Sequence, residues 1–261
     1  MIRRPETFSQ KPCKKHAAAQ SNKRMGYLVV PALLVIAVVG WVLYHFSETQ
    51  REMALDKLAR RLGMNFRFGL PHELRDQLFR FRVIEKAMEA GGEFQAGINS
   101  ITGTRRTRKL AFFDFDWVTV SYSRGSRGWF WDNEREYRTT HTRSAVAAEL
   151  GVVLQPVLIR PERLVDKAAA LVGYDDIDFE SLPEFSSRFY VNSPDRQFAR
   201  RLVTPALARF FMENIHCTVD FVGPWLLIHD NNKLSSSRVG ELLETASMLA
   251  DLVTREQARS R

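Results

Sequence analysis

MGYLVVPALLVIAVVGWVLYHF, Met25 to Phe46, holds no Asp, Glu, Lys or Arg across 22 residues. As a helix rising about 1.5 Å per residue it reaches about 33 Å, enough to cross the hydrocarbon core of a bilayer. Pro31 lies in its second turn. Tyr27 near one end and Trp41 and Tyr44 near the other suit the two membrane interfaces. A cleaved signal peptide fits poorly: the leading region is long, the apolar run exceeds 7–15 residues, and Ser47-Glu48-Thr49-Gln50 offers no small-x-small site. The run reads as an uncleaved anchor, so the expected partner of residues 25–46 is a lipid bilayer.

Working outward, residues 1–24 carry seven basic side chains and one acid, Glu6, and read as a disordered tail. The rest of the chain carries 31 basic and 29 acidic residues. The net charge of +8 therefore belongs mostly to the tail, and nucleic-acid binding by the folded part is not indicated. Lys23 and Arg24 abut the span on one side and face Glu48 on the other. The basic bias predicts a single-pass cell-membrane protein with its tail inside and its folded part outside the cytoplasm. Cys13 and Cys217 fall on opposite sides of the span, which rules out pairing within one chain.

Beyond the span, Leu55, Leu58, Ala59 and Leu62 mark one helical face, and Gly63 offers a C-cap, so 47–63 reads as a juxtamembrane stalk packed on its own domain. Residues 64–261 read as one α+β domain, an antiparallel sheet packed by helices. Pro71 opens a helix running to Gly91-Gly92. The period then becomes two: Phe113, Phe115 and Trp117 share one strand face, and Asp114, Asp116, Val118 and Val120 the other. Further strands are expected at Tyr137–Ala147, Leu154–Ile159 and Glu184–Val191, with a hairpin of Cys217–Val222 and Trp225–His229 around Gly223-Pro224. Helices are expected after Pro161, after Ser193-Pro194, after Thr204-Pro205 and from Ser235-Ser236-Ser237.

No constellation reads as a catalytic motif or a cofactor site. Asp114 and Asp116 point the same way about 7 Å apart, a pair that metal-assisted hydrolysis could use. The plainer expectation is an exposed strand face with Arg135 or Arg138 as partners. Asp175, Asp176, Asp178 and Glu180 read as turn residues, and the six histidines show no ligand spacing. Arg105-Arg106-Thr107-Arg108-Lys109 reads as a solvated hairpin turn, and Cys217 as a small core residue. Arg124-Gly125-Ser126-Arg127-Gly128-Trp129-Phe130-Trp131 is the most unusual stretch. Three adjacent aromatics cannot all face one core. Arg124, Arg127, Trp129, Phe130 and Trp131 are therefore the candidate contacts for a partner or for lipid.

Ile101-Thr102-Gly103-Thr104, Phe112–Trp117, Leu154–Glu162, Asp176-Ile177-Asp178-Phe179, Pro183-Glu184-Phe185-Ser186 and Tyr190 together resemble an uncharacterised group of bacterial membrane-anchored proteins known only as a domain of unknown function. The resemblance implies a bacterial membrane protein and carries no activity. The leading expectation is an anchored α+β module that binds a protein or envelope partner.

Overall fold

The computed structural model describes residues 15–89, 94–124, 134–162, 177–230 and 232–259. The chain divides into two compact units, Met1–Gln50 and Arg51–Arg261.

In the first unit, helix α1 (Lys15–Leu62) begins inside the stretch that composition alone reads as disordered and continues through Pro31 into the second unit. It is the one helix among the described residues long and apolar enough to cross a membrane, and none of its apolar window is buried. Leu33, Leu34, Val35, Ile36, Val39, Leu43 and Phe46 are all exposed. A one-sided stripe would mark a surface helix, whereas apolar residues all round mark one that expects an apolar solvent.

In the second unit, the last turns of α1 lie against the sheet, with Leu55 and Ala59 fully buried. Gly63, at φ +66°, ends the helix, and the Met64 amide donates to the Ala59 carbonyl. There follow β1 (Asn65–Arg67), α2 (His72–Leu78), α3 (Arg82–Glu89), β2 (Phe94–Arg105), β3 (Arg108–Arg124) and β4 (Glu134–Pro161). After them come α4 (Pro183–Ser186), β5 (Phe189–Asn192), α5 (Arg196–Leu202), α6 (Pro205–Asn214), β6 (Thr218–His229) and α7 (Ser236–Arg259). All six strands form one antiparallel sheet, in the order β1-β2-β3-β4-β5, with β6 also on β4. The expected α+β architecture with an N-terminal long apolar helix is what the structure shows.

The period-two pattern separates two cores. Leu110, Phe112, Val146, Ala148, Leu226 and Ile228 face the larger one, closed by α5, α6, α7 and the end of α1. Ala111, Phe113, Phe115, Ala145, Ala147 and Leu227 face a smaller one, closed by Leu78, Phe81 and Ile84 of the α2–α3 region. Helix α7 buries Val239, Leu242, Leu243, Ala246, Leu249, Ala250 and Val253 from one stripe. Its larger aliphatic side chains contribute about 1.5–3 kcal/mol each when fully buried.

Several boundaries differ from the pattern reading. The helix after Pro71 is broken at Phe79–Phe81, where the Phe81 amide donates to the Leu78 carbonyl and the chain restarts as α3, with Leu78, Phe81 and Ile84 all in the smaller core. Met88 is exposed. The two strands expected within 137–159 are one strand, β4. The expected hairpin at Gly223-Pro224 is one bent strand, β6, whose two halves both pair with β4. Gly223, at φ +59°, supplies the bend, opposite the register shift at Leu154. Glu184 lies in the short helix α4, so only the end of the expected strand forms. Helix α5 is capped by the Asp195 carboxylate, which accepts from the Phe198 amide at 2.8 Å, while Ser193 donates to the Pro156 carbonyl. The helix expected after Pro161 lies outside the described residues.

Candidate functional site

Asp114 is the pivot of the second unit. Strand alternation turns it into the larger core, where it is fully buried. Its Oδ2 accepts from Arg51 Nη1 at 2.6 Å and Asn99 Nδ2 at 3.2 Å. Its Oδ1 accepts from Arg51 Nη2 at 2.9 Å and Ser144 Oγ at 2.6 Å. Arg51 also donates from Nε to the Leu234 carbonyl, and Ser144 Oγ accepts from the Leu234 amide. One guanidinium thus joins α1 to β3 and to the start of α7, while β2 and β4 complete the shell through Asn99 and Ser144.

The expectation of an exposed strand face with Arg135 or Arg138 as partner is corrected here. Arg138 pairs instead with Glu136, and the carboxylate of Asp114 is sealed. A carboxylate has about four acceptor positions, and Asp114 uses all of them. It has none left for a metal ion or a reacting proton. Asp116 is half-buried opposite Thr142. Among the described residues, no group of three His, Cys, Asp or Glu is placed to hold a metal. The geometry therefore gives no support to hydrolysis through Asp114 and Asp116.

The second feature is a projecting ribbon. β2 pairs with β3 only as far as Phe94 opposite Trp117, and β6 pairs with β4 only from Ala145 onward. Between Val118 and Arg124, and from Glu134 to Ser144, β3 and β4 pair with each other and with no other described strand. Seven residues past Trp117 carry the ribbon about 23 Å outward. Its base is held by Trp117 and His141, stacked at 4.9 Å, with the Arg143 guanidinium 4.7 Å over the indole. His141 Nε2 and Thr119 Oγ1 are hydrogen-bonded at 2.9 Å. Further out, Tyr122 and Tyr137 stand on opposite faces, 67% and 49% exposed.

Of the candidate contacts, the backbone of Arg124 lies opposite Glu134 at the ribbon's outer end. Arg127, Trp129, Phe130 and Trp131 lie outside the described residues, as do Asp175 and Asp176. The basic cluster is not a freely solvated turn. Arg105 and Arg106 pair with Glu244, Arg108 with Asp251, and Lys109 with Glu149. These four pairs tie the β2–β3 turn to α7 and β4.

Cys217 is buried, as expected of a small core residue. It borders a cavity of about 130 Å³ with Arg160, His216, Thr218, His229 and Asp230. Burial and the charge of Asp230 push its thiol pKa up, outweighing a hydrogen bond from Arg238. The thiol stays protonated, the opposite of an activated nucleophile.

Sequence reasoning missed the Arg51 network and the exposed tyrosines. The network joins residues 15 to 183 positions apart, which no local pattern records. The tyrosines were legible as alternation but not as uncovered.

No protein-family model and no curated protein matches the chain. The resemblance of its phrases to an uncharacterised membrane-anchored group therefore assigns no family. Among solved structures, the crystal structure of the mycobacterial trehalose monomycolate transport factor A, TtfA, is similar at a TM-score of 0.49 and 13% identity, over 77% of this chain and 93% of that chain.

Proposed function

We propose that the chain is a bacterial single-pass membrane protein, anchored through residues 25–46, whose α+β domain acts by binding a protein or envelope partner. The observation that carries this reading is the β3–β4 ribbon. A two-stranded ribbon by itself is marginal in water, and this one carries exposed tyrosines on both faces and has no neighbouring strand among the described residues. A partner that covers it would remove both liabilities. Arg124, at its outer end, and Arg127, Trp129, Phe130 and Trp131, which follow in the sequence, are the proposed contact residues, for that partner or for lipid.

Photo-crosslinking in cells tests the reading. Benzoylphenylalanine at Tyr122 or Tyr137 is expected to give a discrete protein adduct in the membrane fraction. The same probe at Val153, which is 76% exposed on β4 away from the ribbon, is expected to give none. Equal adducts from all three positions, or none from the two tyrosines, would overturn it. Adducts to lipid alone would make the ribbon a membrane-contacting element instead.

The basic residues beside the span support a domain outside the cytoplasm. Protease added to intact cells, or after the outer membrane alone is opened where there is one, is then expected to remove a C-terminal tag. Protection until the inner membrane is breached would place the domain in the cytosol.

A further inference from the structure

A groove of about 460 Å³ runs between the β2–β3 turn, α6 and the outer side of α7, away from the ribbon. Its volume falls in the range of small-molecule sites, about 300–1,000 Å³. On α7 it is lined by Met248, Asp251, Leu252 and Arg255, spaced i, i+3, i+4, i+7. This is a second face, distinct from the core stripe of the same helix. Phe210 of α6 adds to the apolar floor, and Arg106 and Arg108 stand at the rim.

The cations are unequally engaged. Arg106 pairs through Nη2 with Glu244. Arg108 is only 17% exposed and donates from Nε to Asp251 Oδ1 at 3.0 Å. Its Nη1 and Nη2 have no acceptor among the described residues, although the fork lies against the bare backbone of Gly151, where a Cβ would come within 2.8 Å of Nη1. Arg255 donates from Nε to the Asp251 carbonyl at 3.3 Å, and its Nη groups are likewise without an acceptor among the described residues. Three guanidinium groups against two carboxylates, Asp251 and Glu244, leave the groove net positive. Partly desolvated guanidinium donors bind an oxyanion with charge-assisted hydrogen bonds. The floor of Phe210, Met248 and Leu252 accepts an apolar body beside it.

We infer that this groove binds a small acidic amphiphile: its carboxylate or phosphate oxygens take the free Nη donors of Arg108 and Arg255, and its apolar chain lies on Phe210, Met248 and Leu252. The short apolar floor favours a small ligand over a peptide. The site is independent of the ribbon, so the two can fail separately.

The test is photolabelling of the full chain in lipid nanodiscs with a diazirine-bearing decanoate, the adducts mapped by mass spectrometry. Labelling is expected on the segments carrying Phe210, Met248 and Leu252. Unlabelled decanoate is expected to compete, and decanol and inorganic phosphate are not. Arg108→Gln and Arg255→Gln are each expected to cut labelling at least tenfold. Arg108 also braces Asp251, so Arg255→Gln, at an exposed position, is the decisive variant, and its thermal unfolding should match the parent. Undiminished labelling in Arg255→Gln overturns the inference. Competition by decanol as strong as by decanoate reduces the groove to an apolar patch, and equal competition by phosphate reduces it to an anion patch. Stronger competition by an acidic Glu-Leu peptide than by decanoate makes it a groove for a protein segment.

Discussion

Arg51→Met lowers the stability of the second unit by about 3–5 kcal/mol, the effect of removing one partner from a buried ion pair. Asp114 is fully buried and Arg51 is 13% exposed. Deleting the guanidinium strands a carboxylate in the core with only Asn99 and Ser144 to hold it. The Leu234 carbonyl loses its donor at the same time. The double variant Arg51→Met/Asp114→Leu recovers most of the loss, because a desolvated pair replaced by apolar groups is near neutral. Recovery stays about 1 kcal/mol short, since Ser144 Oγ keeps a proton with nowhere to go. Urea unfolding of the full chain in micelles, followed by far-ultraviolet circular dichroism, reads all three variants. Arg60→Met is the control: its pair with Asp56 is exposed, and its expected effect is below about 0.5 kcal/mol. A loss below about 1 kcal/mol in Arg51→Met would show that the network does not hold the helix to the sheet.

Phe185→Ala costs about 3–5 kcal/mol by the same measurement, through transfer plus the cavity it leaves. Phe185 is 1% exposed and lies at the centre of an aromatic cluster. Its ring centroid is 5.1 Å from Phe189, 5.7 Å from Phe179 and 6.2 Å from Phe211. The turn that presents it is closed by Ser186 Oγ, which accepts from the Phe179 amide at 2.9 Å. Photo-crosslinking from Tyr122 and Tyr137 should persist wherever the variant is folded, because the cluster packs in the larger core and takes no part in the ribbon. Val153→Ala is expected to stay within about 0.5 kcal/mol of the parent.

This second effect explains part of what the sequence made legible. Within the phrase Asp178-Phe179, Pro183-Glu184-Phe185-Ser186 and Tyr190, Phe179 and Phe185 enter one aromatic cluster and Ser186 closes the turn between them. Its buried members are packing residues, which carry fold without activity. Periodicity was equally informative for the stalk stripe of Leu55 and Ala59, for the α7 stripe and for the two faces of β3. It failed where the backbone departs from its period. Gly223-Pro224 reads as a hairpin turn, yet both halves of β6 find their partners on β4. Likewise Phe79–Phe81 breaks a helix whose apolar residues keep an acceptable step. Asp114 showed the largest gap. Its strand face was legible, but its burial depends on Arg51, which lies 63 positions earlier, in the stalk turns that follow the apolar run of α1.

Strand β4 also shapes how the chain folds. Among the described strands it alone pairs with three others, β3, β5 and β6. Its contacts with β3 are those of a hairpin and can form as soon as both strands exist. Its contacts with β6 join residues 145–159 to 219–229 and wait until the chain is nearly finished. Non-local pairing of this kind slows folding. Until Thr218–His229 arrives, Val157 and Ile159 have no covering strand on that edge, and the last ladder to form completes the walls of both cores. A nascent chain paused before Thr218 is therefore the species most exposed to aggregation, and the time from synthesis of β4 to synthesis of β6 sets how long that exposure lasts.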